Sequence, residues 1–156
     1  MCTTSSGHIY LMGGRAGNRL LKDLWRFDPG TSFWEEVECR GPSPPSLQEH
    51  TMVAWDNKLY IFGGEMGTSS NGETPLWILD LCSLTWQRTN SSGQTLGSTK
   101  TSPLGRRAHS CVLYGDAMHI FGGYQDLLGG SAELWTFDLG NAHDYNISTF
   151  NPFFRS

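Results

Sequence analysis

Histidines, cysteines, recurring aspartates and Gly-Gly pairs are the features of this chain that could do chemistry. The five histidines form no HxH or HExxH pattern, and the four cysteines form no CxxC pair, so the spacings that bring two metal ligands together are absent. Cys2, Cys39, Cys82 and Cys111 stand 37, 43 and 29 residues apart. Three of them adjoin apolar segments, the pattern of reduced, partly buried thiols. Gly13-Gly14, Gly63-Gly64 and Gly122-Gly123 could cradle a phosphate only if a helix followed and offered its N-terminal N–H groups. Polar loops follow instead. Asp28, Asp80 and Asp138 each close an apolar run, where a carboxylate accepting backbone N–H bonds in a turn is a simpler reading than a catalytic pair. The sequence therefore predicts no metal, no cofactor and no catalytic residue.

The elements around these residues recur. Diglycines return at intervals of 50 and 59 residues, each with the same surroundings. Ahead of each runs an alternating strand: HIYLM (His8 to Met12), KLYIF (Lys58 to Phe62) and AMHIF (Ala117 to Phe121). After each comes a polar loop of unequal length, then LWRFD (Leu24 to Asp28), LWILD (Leu76 to Asp80) or LWTFD (Leu134 to Asp138). Six residues past the Asp, the first two copies carry Trp34 and Trp86. Thirteen residues before the diglycine, the last two copies carry His50 and His109, each opening a strand. Asp56-Asn57 and Gly115-Asp116 suit two-residue hairpin turns. No segment sustains a helical period. Four short strands repeated every 50 to 60 residues predict propeller blades.

With these features in place, the chain resembles the kelch-repeat family over roughly residues 1 to 139. The resemblance implies an all-β fold of kelch-type β-propeller blades: four-stranded antiparallel sheets, about three of them, in an incomplete ring. The expected division is a first repeat over 1–49, a second over 50–108, a third over 109–144 and a divergent tail over 145–156. Both ends depart from the family pattern. The first copy has no residue at the His position, and MCTTS stands where an apolar first strand belongs. In the third copy Asp144 replaces the spaced Trp, while Tyr145, Ile147 and Thr149 alternate as a substitute strand would. The favoured expectation is a fragment or truncated isoform of a longer kelch protein. Two copies completing a ring through open blade edges is the alternative.

Most conspicuous residues are expected to be structural. Gly13, Gly14, Gly63, Gly64, Gly122 and Gly123 provide backbone freedom and close packing. Trp25, Trp34, Trp77, Trp86 and Trp135 are expected to fill the space between blades. His50 and His109 head strands in different blades, which the repeat is expected to hold far apart. Sites are expected where the units differ. Arg15, Asn18, Arg19, Glu65 and Tyr124 lie in the loops after the diglycines, which in kelch domains gather at one face, and Arg106 and Arg107 precede His109.

Composition narrows the partners. Hydrophobic residues make up 38% of the chain and aromatics 12%, sufficient for a core. A net charge of −4 with no basic run longer than GRR (Gly105 to Arg107) argues against nucleic acid. No stretch approaches the ~20 apolar residues of a membrane helix. MCTTSSGH has neither the basic start nor the apolar run of a signal peptide, so a cytoplasmic or nuclear chain is expected and the sequons at Asn90 and Asn146 are read as chance. The resemblance implies a non-enzymatic module that binds a protein or peptide, as in ubiquitin-ligase substrate recognition beside a BTB or F-box domain, signalling scaffolds or actin binding. The alternatives are the kelch portion of an enzyme whose catalytic part lies elsewhere and a non-functional truncated isoform. No Cys, Tyr and His cluster matches the copper site of galactose oxidase. No Glu has an Asp four residues later, as the iron motif of nitrile-specifier proteins requires.

Overall fold

Alternating apolar and polar residues, punctuated by turn formers, fold into short antiparallel ladders. A computed structural model describes residues 1–65, 76–88, 103–126 and 128–140, and the backbone of 147–150. Most of the second unit's predicted loop (66–75), the asparagines of both sequons, Asp144 and most of the predicted tail lie outside the described residues. The first sheet contains β1 (Cys2–Thr3), β2 (Ile9–Ala16), β3 (Arg19–Asp28) and β4 (Phe33–Glu36). The second contains β5 (Thr51–Trp55), β6 (Lys58–Phe62), β7 (Trp77–Asp80) and β8 (Thr85–Arg88). The third has β9 (Ser110–Tyr114) and β10 (Ala117–Phe121), then a ribbon of β11 (Tyr124–Gln125) and β12 (Gly129–Gly130), then β13 (Leu134–Asp138) and β14 (Ile147–Phe150). Each four-stranded sheet is an antiparallel meander, no helix occurs among the described residues, and the three sheets form no closed ring.

Turn chemistry sets the strand ends. Asp56 and Asn57 take φ of 44° and 56°, the left-handed pair of a type I′ turn, which matches the right-handed twist of the hairpin it closes. The recurring aspartates close the next turn of each unit. Asp28 Oδ1 accepts from Gly30 N–H at 2.8 Å, Asp80 Oδ1 from Cys82 and Ser83 N–H at 3.0 and 2.8 Å, and Asp138 Oδ1 from Gly140 N–H at 3.0 Å. These donors hold the Asp28 and Asp80 carboxyls below their usual range.

Register sorts the side chains into faces. In the second sheet Met52, Leu59, Ile61 and Leu79 share one face, while Val53, Tyr60, Phe62 and Ile78 share the other. The first face packs on Tyr10, Met12 and Leu24 of the first sheet, with Leu47 and Trp86. The second packs on Met118, Ile120, Trp135 and Phe137 of the third sheet. The middle blade is thus covered on both faces, and each fully buried large side chain contributes about 1.5–3 kcal/mol. The outer faces are open: Trp34 is 43% exposed, whereas Trp135 is 1% exposed and Trp86 4%. Trp34 therefore departs from the expected filling role. Trp25 pairs with Leu11, and Phe27 pairs with Trp34 in the register, so all four lie on the first blade's far face. The first unit also corrects the expected loop over Arg15 to Asp23. A bulge between Met12 and Gly14 lets the β2–β3 ladder run past the diglycine to a turn after Ala16. At the other end of the chain the third unit does gain a fourth strand, over 147–150.

Trp135→Ala is expected to destabilise the fold by about 3–5 kcal/mol and Trp34→Ala by less than about 1 kcal/mol, read from denaturant midpoints at constant m-value. Equal losses would contradict the open first-blade face.

Candidate functional site

Two backbone bridges organise the loops that follow the diglycines. Glu65 N–H donates to Gln48 O at 2.8 Å, with the return bond at 3.3 Å. In the third blade Tyr124 N–H donates to Arg107 O at 2.9 Å, with the return bond at 3.0 Å. In both cases the residue after the diglycine pairs with the residue two places before the strand-opening His.

The bridges set a continuous row of side chains across the boundary between the second and third blades. Gln48 Nε2 donates to Glu65 Oε2. Glu65 Oε1 lies 3.3 Å from Arg107 Nη1. The Arg107 guanidinium stands 5.1 Å from the centre of the Tyr124 ring, and its Nη2 lies 3.8 Å from Asp126 Oδ1. Three predicted residues, Glu65, Arg107 and Tyr124, are therefore brought together. Gln48 and Asp126 join them and were missed. For Gln48, the signal available in the sequence was its fixed distance from His50. The row is accessible, with Tyr124 47% exposed.

Arg106 is a correction. Expected to approach this face, it is buried instead. Its Nη2 lies 2.7 Å from Glu133 Oε2, Nη1 donates to Gly122 O at 3.0 Å, and Nε donates to Leu104 O at 3.1 Å. Glu133 Oε2 also accepts from Trp135 Nε1 at 3.0 Å, so one carboxylate ties the linker to the core tryptophan. Arg15, Asn18 and Arg19 cluster at the tip of the first hairpin, where Arg15 Nε donates to Gly17 O at 2.7 Å. No hydrogen bond or ion pair joins them to the row among the described residues. Arg19 instead borders a cleft of about 530 Å³ whose lining includes Lys22, Asp23, Glu36, Glu38 and Trp86.

The histidines are closer than the repeat suggested. A 2.7 Å hydrogen bond links His109 Nε2 to Thr51 Oγ1, next in sequence to His50, so the two His-headed strands meet across the blade boundary. Burial pushes both imidazoles down to about 4. The Arg106 charge adds to the effect at His109, while the Met12 carbonyl partly opposes it at His50. Both Nδ1 atoms are buried without a hydrogen-bond partner. Among the described residues no group of three or more His, Cys, Asp or Glu is placed to hold a metal ion. All four cysteines are free.

Comparison with known proteins places this architecture. The family described as the KLHDC2/KLHL20/DRC7 Kelch-repeats domain matches residues 1–152. Kelch repeat-containing protein 2 of Saccharomyces cerevisiae is 42% identical over 71 residues, which span 42% of this chain and 8% of that protein. Human Host cell factor 1 is 32% identical over 146 residues, covering 81% of this chain and 7% of that protein. Human Kelch domain-containing protein 3 is 28% identical over 163 residues, covering 96% of this chain and 40% of that protein. The chain thus spans well under half the length of these relatives.

The buried histidines predict a pH dependence. In the unfolded chain each takes up a proton near pH 6.5, while in the folded chain it stays neutral until about 4. Their contribution is therefore complete above pH 6.5 and is lost as the pH falls from 6.5 towards 4, on the order of 1–3 kcal/mol for each. Melting temperature should fall across this window, and His109→Gln should flatten the fall. An unchanged slope would place His109 outside the core. Arg106→Ala, which removes the buried partner of the half-buried Glu133, should cost about 1–3 kcal/mol by denaturant titration.

Proposed function

Since the chain belongs to the kelch-repeat family, we propose that it is a non-enzymatic binding module that docks a protein or peptide on the Gln48–Glu65–Arg107–Tyr124–Asp126 row. The observation that carries this reading is Arg107. It is held over the Tyr124 ring and between two carboxylates at the accessible rim of two rigid blades. Arg and Tyr are the residue types most often found as binding hot spots. The backbone bridges fix both before a partner arrives, which lowers the ordering cost of association. Acid, base, aromatic ring and acid in sequence along the row suit a partner that pairs a carboxylate or main-chain carbonyl with Arg107 and presents a flat group to Tyr124. Catalysis would need a nucleophile beside a base, or a metal centre, and the row offers neither arrangement.

In this reading the module works as part of a longer protein in the cytoplasm or nucleus, for substrate recognition in a ubiquitin ligase or for scaffolding. Its partner arrives as a polypeptide, not as nucleic acid or membrane.

Partner capture from lysate followed by mass spectrometry tests the reading. Arg107→Ala combined with Tyr124→Ala should reduce captured partners at least about tenfold, the loss of one hot spot. The melting temperature should change little. Arg15→Ala, at the separate hairpin tip, should leave capture unaltered. Unchanged partners in the double variant, or turnover and bound metal in the purified protein, would overturn the proposal.

A further inference from the structure

β3 is ten residues long and β4 only four, so one edge of β3 is half used. β2 runs along the other edge from Arg19 to Phe27, whereas β4 pairs with Trp25 to Asp28 alone. Val37 N–H adds a last bond to Leu24 O at 2.8 Å. The chain then leaves the first blade for the second, where Arg40 N–H donates to Leu84 O at 2.7 Å and Arg40 O accepts from Trp86 N–H at 2.9 Å. β3 and the departing segment thus form a fork. Main-chain groups alternate between the two edges of a strand. Leu24 O faces β4, so the N–H and C=O groups of Leu20 and Lys22 face the gap of the fork. An unpaired strand edge is a template for another strand.

The gap is the cleft of about 530 Å³, a volume within the ~300–1,000 Å³ of ligand pockets. Its two sides differ in chemistry. Leu24 and Trp86 belong to the core shared with the second blade, and Val37 and Cys39 pack against it, which makes one side apolar. Asp23 and Glu36 fall on the other side, because Glu36 stands opposite Trp25 in the register and Asp23 is two residues before Trp25. Glu38 follows Glu36 at the same spacing and also lines the cleft. None of the three carboxylates is in an ion pair among the described residues, and Asp23 Oδ1 is buried without a hydrogen-bond partner. By the same alternation Lys22 falls with Leu24, so the acidic side has Arg19 as its one lining cation.

We propose that this fork is a second docking site, for an extended polypeptide segment of a partner that alternates apolar and basic residues. The segment adds a strand to the free edge of β3 through its main chain. Its apolar side chains lie on Leu24, Val37 and Trp86, and its Lys or Arg side chains meet Asp23, Glu36 and Glu38. Charge complementarity and the period of two in the cleft walls identify the occupant. No residue lining the cleft belongs to the Gln48–Glu65–Arg107–Tyr124–Asp126 row, so the two sites are separate.

An acetylated peptide amide of four Val-Lys repeats is the probe, titrated into the isotope-labelled full chain and followed by NMR. Saturable shifts should centre on the amides of Arg19 to Leu24 and the indole N–H of Trp86. The same peptide methylated at every main-chain nitrogen, which removes the strand's donors, should bind about tenfold more weakly or worse. A Val-Glu peptide of equal length should lose at least as much. Glu36→Gln combined with Glu38→Gln, both at exposed positions, should weaken the Val-Lys peptide about fivefold without moving the melt. Arg107→Ala combined with Tyr124→Ala should leave its affinity unaltered. The proposal is overturned by an absence of shifts at millimolar peptide or by equal binding of the methylated or Val-Glu peptide. It is equally overturned by unchanged affinity in the Glu36 and Glu38 variant, by shifts centred on the row, or by a doubled mass in which a second copy already covers the β3 edge.

Discussion

The absence of two Cβ atoms at each strand end is the constraint on which the rest of the structure depends. Gly63 and Gly64 take positive φ. A methyl group on the first would run into Arg106 O and the His109 ring, and one on the second into Gln48 O and His50 Cβ, both at 2.8 Å. The pair is a point where three stretches of backbone converge: the strand that ends there, the segment leading into its own blade and the segment leading into the next. A side chain on Gly63 would force two blades apart, and one on Gly64 would push away the segment leading into its own blade. Strand propensity is sacrificed locally because close approach lets main-chain N–H and C=O groups of neighbouring units satisfy one another. The histidine then fills the remaining space, and it does so as a neutral ring because burial disfavours the charged form.

The fold was largely legible because its signals are periodic. Alternating apolar residues, diglycines and Leu-Trp…Asp runs recur, and each recurrence tests the last. What was illegible depends on neighbours outside the unit. Trp34 and Trp86 hold the same place in the repeat, yet one is exposed and the other buried, because burial at that place is supplied by the preceding blade and not by the residue's own strand. The RAGNRLLKD stretch reads as a polar loop from composition, but its ladder bonds are main-chain bonds, and a bulge is enough to carry the register past the glycines. The nearness of His109 to Thr51 was hidden for a related reason. Strands that open successive blades are about 59 residues apart in sequence but neighbours around the inner side of the arc.

The candidate site was legible residue by residue but not as a set. Glu65 and Tyr124 stood out for following the diglycines, and Arg107 for preceding the histidine. The backbone bridge that couples these two positions leaves no mark in composition. It follows from geometry: a turn that brings the lead-in segment against the diglycine must also bring the flanking residues into register. Because the bridge uses only main-chain groups, it holds any side chain placed there. Blade two therefore carries Gln and Glu, blade three carries Arg and Tyr, and both display them at the same rim.

Arg106 and Arg107 show how sharply this arrangement divides structure from binding. They are consecutive and chemically identical, yet one is buried against Glu133 and the other lies over Tyr124 at the rim. Extended backbone points successive side chains to opposite sides, so the bridge that turns Arg107 outward obliges Arg106 to turn inward. A guanidinium turned inward must be matched donor by donor, and Glu133, Gly122 and Leu104 supply the acceptors. The second blade reaches the same end by a different route: Leu47 occupies the inward place and needs no partner, while Gln48 occupies the outward one. Inward positions are thus fixed in phase but free in chemistry so long as they are satisfied. Outward positions are free in both respects, which is what allows one blade scaffold to present a binding surface particular to this chain.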